Sequence, residues 1–415
     1  MHKVQKFNAK CVFEEKNGDK VPCVKLNFQV NKWDAPPKDG FQLVDVYRRE
    51  EPDFRHDYDE WEYFEGLVPR EEDLIFSGEV EISNTFSEFS DFDVEIGKVY
   101  VYWIGKGDVG VRLSAPRPIK VRDPYIWWSF DEILSRTYAL RDRFGATVRL
   151  FGRTVLGKPL NAVTVGNRDR LIACIGAVHA GESGPEILLR ALERILERDP
   201  HAFDRCGIAV MPVVNADMRE QMACGVAPWY NRLNLVGVDI NRNFDADWSL
   251  VDRSYNLSSD DPRSPTYRGT CPNSEPETRA VTELLEQLRP VAVFSYHYMS
   301  SITGDRLLSA SVSAEDEEYR ELCNRISRAY SDGFRDGMNE PRANNTETVF
   351  ACTGGSLASY AYRRLGVPAF DIETSVTDLL EMKARCTCDK ATREDLDRTV
   401  DGHEKAILKI VELFS

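Results

Sequence analysis

The segment Leu171 to Val178 carries no polar side chain apart from one thiol, and it limits the fold of this chain more than any other feature. A strand of a half-wet antiparallel sheet alternates apolar and polar residues, whereas an uninterrupted apolar strand must be covered on both faces. Ile208 to Val214 and Val291 to Tyr296 read as two further buried strands. Between and around them lie helical patterns. Ser129 to Phe144 has helical spacing behind a cap-like Ser, and Glu186 to Arg198 is strongly amphipathic. Strands of this kind interleaved with helices predict an α/β domain over residues 128–415, a mixed sheet flanked by helices.

The first 124 residues have another texture. Apolar and polar residues alternate at period two over Val24 to Val30, Phe41 to Tyr47, Val99 to Trp103 and Ile119 to Val121, separated by turn-rich stretches such as Asp34 to Gly40. This pattern predicts a small all-β sandwich domain over residues 1–124. Val94 to Tyr100 resembles the approach to the tyrosine corner of fibronectin type III domains, with Ile96 where that family usually has Pro. The change between the two textures falls at Arg122-Asp123-Pro124.

Composition narrows the possible partners. A net charge of −15 is the wrong sign for a phosphate-binding surface, so no nucleic-acid partner is expected. No apolar run approaches the roughly 20 residues of a membrane span. The basic first residues have no apolar stretch behind them, and a cytoplasmic location is expected. The ten cysteines are scattered, which fits buried thiols in a reducing compartment better than a disulfide framework. The one close pair, Cys386 and Cys388, is read as structural, and His56 as a surface residue.

Of six histidines, two stand where buried strands end. His179 follows Leu171–Val178 and has Glu182 three residues on; His297 follows Val291–Tyr296. Ligand crevices in open α/β sheets form at strand ends. Two imidazoles and a carboxylate are the three-ligand set of a hydrolytic zinc site, which leaves one position for water. Downstream come Gly237-Val238-Asp239-Ile240-Asn241-Arg242-Asn243-Phe244, then Ser274-Glu275-Pro276-Glu277 as a Ser-x-x-Glu helix start, and finally Ala369-Phe370-Asp371-Ile372-Glu373-Thr374.

In their order and separations these motifs resemble the zinc metallocarboxypeptidase family across nearly all of residues 128 to 415. The resemblance implies that His179, Glu182 and His297 hold one Zn²⁺ per chain and that Glu373 is the general base. Arg232, nine residues before Asn241, matches the arginine that stabilises the oxyanion, with Arg219 as a nearby competitor. Asn241 and Arg242 match the pair that grips a substrate's terminal carboxylate, and Asp239 an outer acid that orients His179. The substrate implied is a peptide with a free C-terminus.

Two positions depart from or refine that pattern. The family usually places a Tyr a few residues before its Gly-Gly-Ser; here Phe350 stands four before Gly354-Gly355-Ser356. Phe350 can cover the site but cannot donate a hydrogen bond, unless Tyr298, Tyr360 or Tyr362 compensates. Leu357 stands where the family sets its specificity pocket, and an apolar residue there favours an aliphatic or aromatic C-terminal side chain. An alternative on the same fold is hydrolysis of γ-D-glutamyl bonds to diaminopimelate in cell-wall peptides. A catalytically silent binding protein is the third reading, disfavoured because every ligand and the base are present.

Overall fold

The computed structural model describes residues 4–30, 41–51, 60–81, 85–105, 114–182, 184–228, 230–250, 257–297, 307–339, 346–373 and 391–415. The Asp34–Gly40 turn, His56, Tyr298 and the Cys386–Cys388 pair lie outside them. The chain divides into two compact units, Met1–Pro124 with Gln221–Tyr230, and Tyr125–Glu220 with Asn231–Ser415.

The first unit holds two antiparallel sheets. β1 (Val4–Lys16), β2 (Asp19–Val30) and β5 (Ser87–Asp91) form one, in the order β1-β2-β5. β3 (Phe41–Glu51), β4 (Leu74–Glu81), β6 (Val99–Gly105) and β7 (Arg117–Lys120) form the other, in the order β4-β3-β6-β7. Phe7, Val24, Leu26 and Phe28 of the first sheet share one core with Val44, Val46, Tyr102 and Ile104 of the second. The Tyr100 hydroxyl accepts a hydrogen bond from the Glu95 backbone N–H, 3.1 Å away.

The region is not wholly β. A short helix, α1 (Glu60–Gly66), follows β3. Its cause is visible in β6, which is buried along its whole length rather than on alternate residues. Val99, Val101 and Trp103 face away from the main core and need a cover of their own, which Phe64 of α1 and Leu67 supply.

Segment Gln221–Tyr230 joins this unit through backbone groups. Arg122, 3% exposed, donates to the carbonyls of Met222, Ala227 and Pro228 at 2.6, 2.9 and 3.0 Å. Cys11 N–H donates to Cys224 O at 2.7 Å. No described cysteine is in a disulfide.

The second unit is built on an eight-stranded sheet. Its strands are β8 (Thr147–Arg153), β9 (Pro159–Val165), β10 (Leu171–Gly176), β11 (Gly207–Met211), β12 (Ala292–His297), β13 (Leu307–Ala310), β14 (Val349–Cys352) and β15 (Ala369–Glu373). Their spatial order is β14-β13-β15-β12-β10-β11-β9-β8. The centre, β15-β12-β10-β11, is parallel, and β9, β8 and β13 pair antiparallel with their inner neighbours. The sheet is therefore mixed. β10, β11 and β12 are buried at every residue, as their sequences require.

The helices are α2 (Phe130–Phe144), α3 (Pro185–Arg198), α4 (Ala216–Ala223), α5 (Pro276–Leu288), α6 (Glu317–Met338), α7 (Leu357–Tyr360) and α8 (Arg393–Leu413). Ser129 caps α2 by accepting from Glu132 N–H. The Ser-x-x-Glu start expected at Ser274 is not formed. α5 instead begins at Pro276, whose fixed φ suits the first helical position. Ser274 Oγ bonds to Glu275 and Asn243, while Glu277 accepts from Val155 N–H. No described helix is long and apolar enough to cross a membrane.

Candidate metal centre

His179 and Glu182 reach the site on a tight loop leaving β10. Ala177, at the start of this loop, has a positive φ of 43°, a conformation costly for a residue with a Cβ. Where the loop closes at Gly184, a Cβ would lie 2.3 Å from Ala177 N, so only glycine fits. His297 arrives separately, as the last residue of β12.

The three side chains converge. His179 Nδ1 lies 3.2 Å from His297 Nδ1 and 3.0 Å from Glu182 Oε1, and His297 Nδ1 lies 2.7 Å from Glu182 Oε2. Among the described residues this is the one cluster of metal-ligating groups. All three residues are 2% exposed. Two nitrogen ligands of one tetrahedral zinc, each bonded at about 2.0–2.1 Å, would stand about 3.3 Å apart. The donor types and the spacing of the two nitrogens therefore fit zinc.

Each imidazole is oriented from behind. His179 Nε2 lies 3.1 Å from Asp239 Oδ1, and His297 Nε2 lies 3.1 Å from Ser295 Oγ. Such outer partners fix which ring nitrogen faces the metal. Asp239, fully buried, also accepts from Asn241 N–H at 3.0 Å and from Arg232 Nε at 2.6 Å. Asn234 holds the turn leading to it, its Oδ1 accepting from the N–H groups of Val236 and Val238.

Charges in the cluster are set by their neighbours. Burial opposes ionisation of Glu182 and Asp239, yet both carboxyls are held far below their usual range, Glu182 by His179 and His297, and Asp239 by Arg232, His179 and Arg242. Burial also works against a charged His297, but Glu182 and Asp371 raise it well above the usual imidazole value. Glu373 lies beside His297 in the register of β12 and β15. Burial pushes its carboxyl up to about 8, opposed by His297 and Arg232 and assisted by Glu182 and Asp371.

Asn241 and Arg242 sit on the short turn Ile240–Arg242, next to Asp239. Asn241 Nδ2 donates to Asp371 Oδ2 at 2.9 Å, and its Oδ1 accepts from Leu357 N–H at 3.0 Å. Arg242 bonds the carbonyls of Leu257 and Asn241 through Nε and Nη1. Gly355 packs against this turn with a φ of +78°, and a Cβ there would lie 2.2 Å from Arg242 O. That approach explains Gly355, while at Gly354 a Cβ would lie 2.3 Å from Asp247 O.

Phe350 is half-buried on β14, an edge strand separated from β15 by β13, and makes no ring contact with a described residue. Tyr360 and Tyr362 do not replace a missing hydroxyl there, because their own are bonded to Glu286 and Asp316. The Leu357 side chain is buried.

Arg219 belongs to the frame of the site rather than its open side. It is 1% exposed and donates from Nη1 to the carbonyls of Ala180 and Glu182, both at 3.1 Å, and from Nη2 to Glu186 at 2.6 Å. Its guanidinium lies over the Trp127 ring, 4.1 Å from the centroid. Breaking such a buried ion pair leaves a charge uncompensated, so Arg219→Met should cost about 3–5 kcal/mol of stability. It should also weaken zinc binding by about tenfold, because the ligand loop loses its brace. A second change, Glu186→Leu, should recover much of the stability but not the zinc affinity. Denaturant unfolding and zinc titration of the single and double variants check this.

Sequence reasoning missed three contributors, Ser295, Asp371 and the Arg219–Glu186 brace. Ser295 and Asp371 each stand two residues before a singled-out residue, His297 and Glu373, and strand periodicity puts such pairs on one face. That signal was available for both.

The fold and donor set define, among the described residues, one His–Glu–His cluster able to hold a metal at the strand ends of a mixed α/β sheet. The zinc carboxypeptidase family profile matches residues 134–387, and the chain belongs to that family, whose members are zinc metallopeptidases. Carboxypeptidase O of Bos taurus is 29% identical over 185 residues, covering 42% of this chain and 47% of the relative. Murein peptide amidase A of Escherichia coli K12 is 29% identical over 170 residues, 40% of this chain and 64% of the relative. The chain thus spans about half to two thirds of these two relatives. Bovine thrombin-activatable fibrinolysis inhibitor, solved with tick carboxypeptidase inhibitor, superposes with a TM-score of 0.58 at 20% identity, over 70% of this chain and 99% of the other. At that identity the likeness shows the fold alone.

Proposed function

We propose that this protein removes single residues from peptides with a free C-terminus, and that His179, Glu182 and His297 hold the zinc that this requires. The observation that carries the reading is the convergence of these three ligands with Glu373 directly beside His297 across β12 and β15. Bound zinc supplies a Lewis acid and lowers the pKa of water to about 7. Glu373 takes a proton from the attacking water and passes it to the leaving amine nitrogen. Arg232, fixed through Asp239, offers positive charge to the carbonyl oxygen as it becomes an oxyanion. Asn241 and Arg242 hold the terminal carboxylate, which sets cleavage one residue from the end. Asp239 keeps the His179 ring turned so that Nδ1 faces the other two ligands. Phe350, on the edge strand β14, cannot contribute a hydrogen bond from its side chain. Leu357, buried beside the Asn241 turn, favours an apolar terminal side chain.

Arg242→Ala tests the grip. Losing hydrogen bonds to a charged group costs about 1.5–3 kcal/mol, so kcat/KM on a free-acid peptide should fall about 10–100-fold, mostly through KM. The same peptide with an amidated C-terminus should be a poor substrate for both proteins. Equal turnover of acid and amide by the wild type would remove the exopeptidase reading.

A further inference from the structure

Two buried carboxylates back the imidazoles of the site, and each also holds a residue of the substrate side. Asp239 bonds His179 Nε2 through Oδ1 and Arg232 Nε through Oδ2, at 3.1 and 2.6 Å. Asp371 repeats this arrangement on the other imidazole. It is 6% exposed and stands beside Ser295 in the register of β12 and β15, two residues from His297 along that face. Its Oδ1 is paired with His297 Nε2 at 3.5 Å, and that nitrogen also lies 3.1 Å from Ser295 Oγ. Its Oδ2 accepts from Asn241 Nδ2 at 2.9 Å and from the Cys352 thiol at 3.4 Å.

Each oxygen of Asp371 thus serves a different part of the site. With a metal on Nδ1, the remaining ring proton of His297 sits on Nε2, which faces Ser295 and Asp371. The Asn241 amide is held at both ends, since its Oδ1 accepts from Leu357 N–H at 3.0 Å while one Nδ2 proton goes to Asp371. The second Nδ2 proton is the one to meet a ligand's carboxylate. In a buried network, bonds that share an ionised acceptor polarise one another, so a change at one oxygen is felt at the other.

We infer that Asp371 is a positioning residue that couples zinc occupancy to recognition of the terminal carboxylate, holding His297 with one oxygen and Asn241 with the other. Zinc and a C-terminal carboxylate then tighten each other's binding by the same factor. The coupling rests on the reading that Asn241 and Arg242 hold that carboxylate. An amide cannot replace Asp371, because it accepts at one end only and can serve Asn241 or His297 but not both.

Zinc titration of the full chain, with and without saturating 3-phenylpropionate, measures the coupling. This probe carries one carboxylate on an apolar stem, and its neutral amide is the control. The carboxylate should raise the zinc affinity of the wild type about 5–50-fold, and the amide should not. In Asp371→Asn, zinc alone should bind about tenfold more weakly, and the enhancement should fall toward one. Ser295→Ala removes the other neighbour of His297 Nε2 and leaves Asn241 in place, so it should weaken zinc and keep the enhancement. Asn241→Ala alters no ligand and should lose the enhancement, which reads the coupling from its other end should Asp371→Asn not fold. Full enhancement in Asp371→Asn or in Asn241→Ala would overturn the proposal. So would its loss in Ser295→Ala, which would assign the effect to any disturbance of His297. Calorimetry of the zinc-loaded wild type and Arg242→Ala with the same probe separates this inference from the reading beneath it. Arg242-dependent binding that leaves zinc affinity unchanged would overturn the coupling and keep the carboxylate grip. Absence of binding to the zinc-loaded wild type would remove the grip, and the coupling with it.

Discussion

Glu373→Gln should lower kcat on peptides by about 10²–10⁴-fold while zinc binding stays within a few-fold of wild type. Glutamine keeps the shape of the side chain but cannot accept and release a proton. The carboxyl of Glu373 is pushed up to about 8, chiefly by burial, and the neighbouring Glu182 and Asp371 add to this against His297 and Arg232. An ionised carboxylate beside the ligands can take a proton from water and then give it to a leaving amine, and the amide of glutamine can do neither. Because Glu373 is not one of the converging ligands, its loss should appear in turnover and not in metal content. Steady-state kinetics with zinc quantified in the same samples separates the two. A variant that loses zinc and activity together would place Glu373 among the ligands and leave the base unassigned.

His179→Ala should have the larger effect on the metal. Three protein ligands become two, and zinc bound through two should be lost on dialysis. Lewis-acid stabilisation is worth several kcal/mol, so activity should fall by at least about 10³-fold. The substitution also strips fully buried Asp239 of its imidazole partner, leaving Arg232 Nε and the Asn241 N–H. Asp239→Asn gives a graded comparison. It retains all three ligands and should lose only about 10–100-fold in zinc affinity. Zinc titration of both variants, with activity measured in excess zinc, checks the order.

What the sequence made legible followed from burial. β10, β11 and β12 are covered on both faces, so their sequences are almost entirely apolar, and the strand ends carrying His179 and His297 stand out against them. Contacts set by register and by chain-distant packing were harder to read. Asp371 touches Asn241 from 130 residues away, and only the folded turn at Ile240–Arg242 brings the two together. Arg219 carries the same charge as Arg232 in the sequence. Burial against Glu186 and Trp127 gives it a different task. The helix start at Ser274 failed as an expectation because Pro276 fixes the first turn two residues later. Helix α1 escaped notice because the need for it lies in β6, whose second apolar face alternation alone does not reveal.

Whether the protein is a zinc exopeptidase can be read from one experiment, mass spectrometry of a mixed peptide library incubated with the zinc-loaded protein, with and without a chelator. Single C-terminal residues should be lost, the loss abolished by the chelator and restored by added zinc. Internal cleavage, or intact free C-termini in the presence of stoichiometric zinc, would contradict the proposed activity.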